Sequence, residues 1–464
     1  MTARDKRLLS ISVVIGLFAA AFLWGILSVV QNANWLRAAG IGGQQRYLVL
    51  AQNPAELRPA GGYTGTVGVI GVSNGRLTEK SFKDVYYYDL KQGVPFVEPP
   101  EELANHLLGS ASWQLADAAW SPDFPTSAQN ALRLYTLESG DADIDGVIAL
   151  TTFAVDRLLE VTGPITVPEY GVTVASGDVT MTALALTRGV STPTSDRKAF
   201  LDVLANETLN RIMSLFPTEW PRLAEALSEM RDAREVLVWF KDPTLQAAIG
   251  STPAGGAVFQ GAGDYVGVVE SNLAPTSKYN LVIQRTDALN VVIDAAGNTT
   301  SDLTMQWQND SMLPGEPYAS LREYSKSKVG QYGAFIRLLT PASSKFSAVQ
   351  SQAITQVDEP EIVATEVGRN VFGSYLLMGP GQSALQFDWT ASGIATQSGG
   401  VWTYRLTLQK QPGVPDAPIT VTIALPDGAT VQSVTPGVRF ELQTVRFAAQ
   451  MDTDVQLEVT YRLP

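Results

Sequence analysis

Cysteine is absent from this 464-residue sequence, which removes disulfides, thiol catalysis and cysteine-based zinc or iron–sulfur sites. Histidine is nearly absent. The single one, His106, lies in EELANHLLG near an expected helix end, where a solvated imidazole is the ordinary role. Neither G-x-x-x-x-G-K-[ST] nor G-x-G-x-x-G occurs, so nucleotide phosphate loops have no support. No long basic run interrupts a formal net charge of −13, which argues against a nucleic-acid partner.

Gly71-Val72-Ser73-Asn74-Gly75 matches the G-x-S-x-G pattern of a hydrolase elbow. An elbow requires strand, sharp turn and helix, with a histidine downstream. Here Asn74-Gly75 follows a strand and precedes RLTEKSF, which predicts a β-hairpin.

One long apolar run is present. Residues 1–7 carry Arg4, Lys6 and Arg7, and Leu8 to Val30 then runs without a charge. As a helix this run is about 34 Å long, enough to cross a hydrocarbon core of about 30 Å. It is longer than the apolar region of a cleaved signal peptide. The expectation is therefore a cytoplasmic tail at 1–7, a single-pass signal-anchor in the lipid bilayer at 8–30, a linker at 31–45 and an extracytoplasmic remainder. That remainder holds 30 basic and 45 acidic residues, so it stays soluble and stands off anionic headgroups.

Residues 46–250 alternate strand and helix signals, which predicts a layered α/β domain. Strand candidates are 47–51, 64–72, 85–90 and 144–150. Helix candidates are 100–108, 127–137 with Thr126 or Ser127 as N-cap, 153–161, 197–215 and 220–231. After the Gly/Ala-rich stretch at 251–265 the helical period disappears. Short alternating strands follow, which predicts an all-β region: a β-rich module at 258–340 and a β-sandwich module at 341–464.

The loop between the first two strands, AELRPAGG, is longer than a hairpin needs. Ligand crevices in open α/β sheets form beyond strand ends, so Arg58 is the leading candidate for an anion ligand. Gly61 and Gly62 would let backbone amides approach that ligand. Lys83, Asp84 and Arg197 complete the candidate anion site, since guanidinium and helix N-termini both suit phosphate or carboxylate. The alternative is structural, with Arg58 paired to Glu56 or Asp84 to fix the loop. Asp141, Asp143, Asp145 and Gly146 reproduce half of an EF-hand loop, but position twelve is Thr152 instead of a bidentate Glu, which makes them a weak calcium candidate.

LVLAQNPAELRPAGGYTGTVGVI, DAAWSPDFPTSAQNALRLY and DIDGVIALTTFAVDRLLEVTGPITVPEYG resemble a bacterial family of membrane-anchored extracytoplasmic domains, domain-of-unknown-function family 4012. The likeness extends through SDRKAFLDVLANETLNRI and QKQPG. It implies a cell-envelope protein and no particular reaction. The layout of DIDGVIALTTFAVDRLLEVTGPITVP is also similar, more remotely, to the LytR-CpsA-Psr envelope transferases, which place lipid-linked glycan phosphates on peptidoglycan. That resemblance implies Arg58 as the first-loop arginine, Lys83 and Asp84 as an Arg-Asp pair, Arg197 as the arginine opening a later helix, and magnesium as cofactor. Gly62-Tyr63-Thr64-Gly65-Thr66 replaces that family's Arg-Ser-Asp-Thr, so an arginine and a metal-binding aspartate are missing.

The reading is thus a noncatalytic envelope module binding an anionic or glycan component, with no cofactor. One alternative is a phosphotransferase or hydrolase acting on lipid-linked glycan phosphates with magnesium. The other is a surface scaffold or adhesin with other surface proteins as partners.

Overall fold

The computed structural model describes residues 34–186, 196–273, 278–315, 317–325, 329–358, 361–415 and 417–464. The expected tail and anchor lie outside these residues. Among the described residues, no helix is long and apolar enough to cross a membrane.

The chain divides into two compact units. The first holds the described residues up to Pro54, Arg58–Pro100 and Ser110–Ala257; the second holds Ala55–Leu57, Glu101–Gly109 and Val258–Pro464.

The first unit is built on a five-stranded sheet. Its strands are β1 (Gln44–Asn53), β2 (Tyr63–Ser73), β3 (Arg76–Asp84), β4 (Gly146–Thr151) and, after a small hairpin of β5 (Ile165–Val167) and β6 (Val172–Val174), β7 (Val236–Phe240). The order is β3-β2-β1-β4-β7, and β1/β4 is its one parallel pair. Tyr47 to Leu50 of β1 are buried in succession, and because side chains alternate, the central strand is covered on both faces. On one face Tyr47, Ile148, Val236, Val238 and Phe240 pack against Leu158, Leu223, Leu227 and Met230 of the helices Thr152–Thr162 and Trp220–Asp232.

Asn74 and Gly75 have φ of 49° and 70°, the left-handed pair that a two-residue hairpin needs. The G-x-S-x-G string is therefore a β2–β3 turn followed by a strand.

The helix expected over 127–137 runs from Phe124 to Ser139. Its cap is Asp123, whose carboxylate accepts from the Thr126 amide at 3.2 Å, with Pro125 in the first turn and Gly140 left-handed at the end. Residues 85–90, expected as a strand, instead hold a short helix, Tyr86–Asp89. The Asp84 carboxylate accepts from the Tyr86 amide at 2.8 Å and turns the chain, while Tyr88 and Asp89 go inside. β7, from VLVWF, was not among the expected strands; a short apolar run has no periodicity that separates strand from helix.

The second unit contains two sheets. Its strands are β8 (Asp264–Asn272), β9 (Ile283–Ile293), β10 (Thr299–Asn309), β11 (Tyr332–Thr340), β12 (Lys345–Gln352), β13 (Ile354–Val357), β14 (Glu361–Glu366), β15 (Arg369–Met378), β16 (Gly381–Ala391), β17 (Thr396–Ser398), β18 (Val401–Gln409), β19 (Pro418–Ala424), β20 (Thr430–Val434), β21 (Arg439–Glu441), β22 (Thr444–Gln450) and β23 (Val455–Arg462). One sheet runs β12-β16-β10-β9-β19-β22-β21. The other runs β13-β15-β11-β8-β18-β23-β20, with β14 on β15 and β17 on β18. Both sheets take strands from 258–340 and from 341–464, so the expected boundary between two modules runs through both sheets and separates no structural module. The sheets face each other: Trp307 of β10 donates to Glu270 of β8 at 3.2 Å, and Phe346 of β12 packs on Phe372 of β15 with ring centroids 5.4 Å apart. Alternation along β9, β10 and β16 puts every second side chain in this core.

Candidate functional site

The loop leaving β1 begins after a register shift at Ala51/Gln52, which bends the strand end. Asn53 pairs with Tyr63 and Thr66 with Asp84, so this loop and the end of β3 share one end of the sheet. The structure thus brings Arg58, Gly61, Gly62, Lys83 and Asp84 to the same edge, in different environments.

Arg58 is 3% exposed, and its Nε donates to Asp117 at 2.7 Å. Its guanidinium also lies 5.9 Å from the centroid of the Tyr63 ring. Asp117 is held from its backbone side, where its carbonyl accepts from the Trp113 indole at 3.0 Å. The anion at Arg58 is therefore an internal carboxylate. The loop's glycines serve the same closure. A Cβ on Gly61, whose φ is 122°, would stand 2.3 Å from the Gln52 side-chain oxygen, and one on Gly62 would stand 2.5 Å from the Asn53 carbonyl. At both glycines the chain's own atoms stand where a Cβ would be.

Lys83 is exposed, with Nζ 5.6 Å from the Tyr87 ring centroid. Asp84 accepts from the Tyr86 amide where the helix Tyr86–Asp89 begins. That helix and the residue after it expose Tyr86, Tyr87 (66%) and Leu90 (70%), with Tyr86/Leu90 and Tyr87/Leu90 at helical spacings that share a face. Phe96, a few residues on, is 65% exposed. Sequence reasoning missed this apolar face because it took 85–90 for a strand, and Tyr-Tyr-Tyr presents a different face in each conformation. Arg197 is in the helix Asp196–Met213, and its side chain lies outside the described residues.

Asp141, Asp143 and Asp145 do gather around a cation, but the cation is Arg46. The Arg46 guanidinium donates to Asp141 at 2.9 Å and 3.1 Å and to Glu79 at 2.8 Å, reaches the Asp143 carbonyl, and its backbone amide donates to Asp145 at 2.8 Å. The hydrogen bond from Arg46 holds the Asp141 carboxyl below its ordinary range. This arrangement corrects the calcium reading: a guanidinium supplies the positive charge. No group of three or more His, Asp or Glu among the described residues is placed to hold a metal ion.

His106 belongs to the second unit and lies, as expected, near a helix end, in the last turn of the segment Ala104–Leu108. It stacks on Tyr375 with centroids 4.2 Å apart and rings within 5° of parallel, and its Nε2 lies 4.0 Å from Asp358.

No curated protein matches the chain. Among solved structures, a putative nutrient binding protein from Legionella pneumophila is similar at 8% identity and a TM-score of 0.25, over 43% of this chain and 71% of that one. Protein gbs0355 from Streptococcus agalactiae is similar at 12% identity and a TM-score of 0.31, over 49% and 77%. Leukotriene A4 hydrolase from Saccharomyces cerevisiae is similar at 11% identity and a TM-score of 0.24, over 39% of this chain and 29% of the hydrolase. Scores of this size carry no argument about function. Residues 42–186, which hold the Arg58 loop, the exposed aromatic helix and the Arg46 cluster, match the family model described as protein of unknown function (DUF4012).

Proposed function

We propose that the chain is a membrane-anchored, extracytoplasmic protein of the cell envelope whose first unit binds an anionic glycan and does not transform it. The observation that carries this reading is the pairing of exposed Lys83 with the exposed ring of Tyr87, on a face continued by Tyr86 and Leu90. Aromatic rings offer flat apolar surface to the C–H faces of sugars, and a neighbouring ammonium pairs with an acidic or phosphate substituent. The apolar run at 8–30 and its basic flank support the anchor and its orientation.

The absence of turnover in this reading is supported by how Arg58 is used. A phosphotransferase clamp needs a guanidinium that meets substrate phosphate, and Arg58 is already neutralised by Asp117. The LytR-CpsA-Psr alternative would require Arg58 to exchange that carboxylate for phosphate, with magnesium bound by residues other than the missing aspartate.

The test is calorimetric titration of the detergent-solubilised full chain with peptidoglycan and teichoic-acid fragments. Lys83→Ala and Tyr87→Ala should each weaken binding of the anionic fragments by about tenfold, the order expected for losing one charge or stacking contact. Unchanged affinity in both variants would reject this surface and favour the scaffold or adhesin alternative. Magnesium-dependent consumption of a polyprenyl-linked glycan phosphate would replace the reading with the transferase.

A further inference from the structure

Beneath the exposed aromatic face lies a pair of acids that the binding surface does not use. Asp89 ends the helix Tyr86–Asp89 and is 6% exposed; Glu138 lies in the last turn of the helix Phe124–Ser139 and is 2% exposed. Two consecutive amides of the turn Leu115–Asp117 hold them. Leu115 donates to Glu138 Oε1 at 3.1 Å, and Ala116 donates to the Asp89 carboxyl. The Gln114 side chain donates to the Asp89 carbonyl. One oxygen of each acid, Asp89 Oδ1 and Glu138 Oε2, is sealed from solvent and receives no hydrogen bond from a donor group, and the two carboxyls are neighbours held by adjacent residues of one turn.

We infer that Asp89 and Glu138 form an acid–carboxylate pair around one shared proton, and that this proton fastens the helix Tyr86–Asp89 and the turn Leu115–Asp117 to the helix Phe124–Ser139. Two buried carboxylates in contact cannot both be ionised without strong repulsion, whereas one proton between them makes a short donor–acceptor bond. When that proton is lost to solvent, the pair repels and the three segments separate.

The surrounding charges leave this balance in place. Asp117 faces Asp89 from the turn, but its charge is answered by Arg58. From the helix Phe124–Ser139 comes Tyr135, whose ring meets that of Tyr88 at 5.4 Å, and Lys91 donates past the pair to the Ser139 carbonyl at 3.2 Å. Arg46 is occupied by Asp141 and Glu79. Arg133, on the same helix as Glu138, lies over the Trp113 ring, 5.6 Å from its centroid. Burial, then the neighbouring Glu138, pushes the Asp89 carboxyl up to about 9, and burial raises Glu138 as well.

The sign follows from proton linkage. A carboxyl raised in the fold binds its proton more tightly there than in the unfolded chain, so its contribution is complete below the usual carboxylate range near 4 and is lost as pH rises towards about 9.

The test is amide hydrogen exchange on the full chain between about pH 7 and pH 10, read as protection factors so that the intrinsic base dependence cancels. In the unaltered protein, protection at 86–90 and 114–117 should fall by about tenfold or more across that range, because each unit of pKa shift is a factor of ten. Asp89→Asn and Glu138→Gln replace the shared proton with an amide donor at nearly the same volume. Either should hold protection in these segments nearly level. A parallel fall in the variants and the parent overturns the lock, as does level protection in the parent. If one variant fails to fold, the other carries the comparison.

Discussion

Arg58 and Asp117, 59 positions apart, meet at 2.7 Å with both side chains nearly out of solvent. The pair closes the loop between β1 and β2 onto the turn that precedes the helix Phe124–Ser139. It answers why that loop is long and charged: it reaches across to an internal partner.

Removing one member of such a pair leaves the other charge buried and uncompensated. Arg58→Ala or Asp117→Asn should lower unfolding free energy by about 3–5 kcal/mol in urea denaturation. A loss below about 1 kcal/mol would fit a surface pair and would free Arg58 for a ligand role.

Gly61→Ala should cost roughly 1–3 kcal/mol, because alanine is strained at a φ of 122° and its Cβ meets the Gln52 side chain. Gly62→Ala should cost at least as much, since the obstacle is the Asn53 backbone, which cannot rotate away. Thermal unfolding of the two variants checks both, and neutral substitutions would show that the loop is looser than its packing implies.

The Arg46 cluster predicts that calcium leaves the melting temperature of the parent protein unchanged. Arg46→Ala should destabilise by only about 1 kcal/mol, because solvent reaches Glu79 and Asp141 and screens the charges they keep. A calcium-dependent rise in the parent would mean that the ion displaces the guanidinium.

In the second unit, Asp264 is fully buried and accepts from the Tyr404 hydroxyl at 2.8 Å. Burial pushes its carboxyl up to about 6, against the hydroxyl's opposing pull. Its contribution to stability is complete below the unfolded value near 4 and is lost as pH rises through about 6. Asp264→Asn should therefore flatten the melting temperature between about pH 4 and pH 6.5, and Tyr404→Phe should carry the decline to higher pH. Identical pH profiles in all three proteins would remove Asp264 from the account.

The backbone was legible wherever a local pattern dictates dihedral angles. Asn74-Gly75 specifies a hairpin turn, and the apolar periodicity from 197 to 231 specifies two helices, both to within a few residues. Legibility failed where two local patterns were equally good. Val85 to Leu90 suits a strand by composition, and the side chain of Asp84 decides for a helix. The helix start moved from Ser127 to Phe124 because Asp123 and Pro125 together form the stronger opening signal.

The candidate site was legible as residue types and not as partners. The sequence alone determined that a charged, glycine-bearing loop follows the first strand, that no cysteine chemistry occurs, that a strongly apolar segment precedes everything described, and that strands dominate after residue 258. Tertiary structure decided what each charge faces. Arg58 finds Asp117 at 59 positions' distance, and Arg46 finds Asp141 at 95. Asp89 finds Glu138 only once a helix replaces the expected strand. The physical reason is range: propensity and periodicity act within a few residues, whereas strand register and helix packing choose which distant charges share a site.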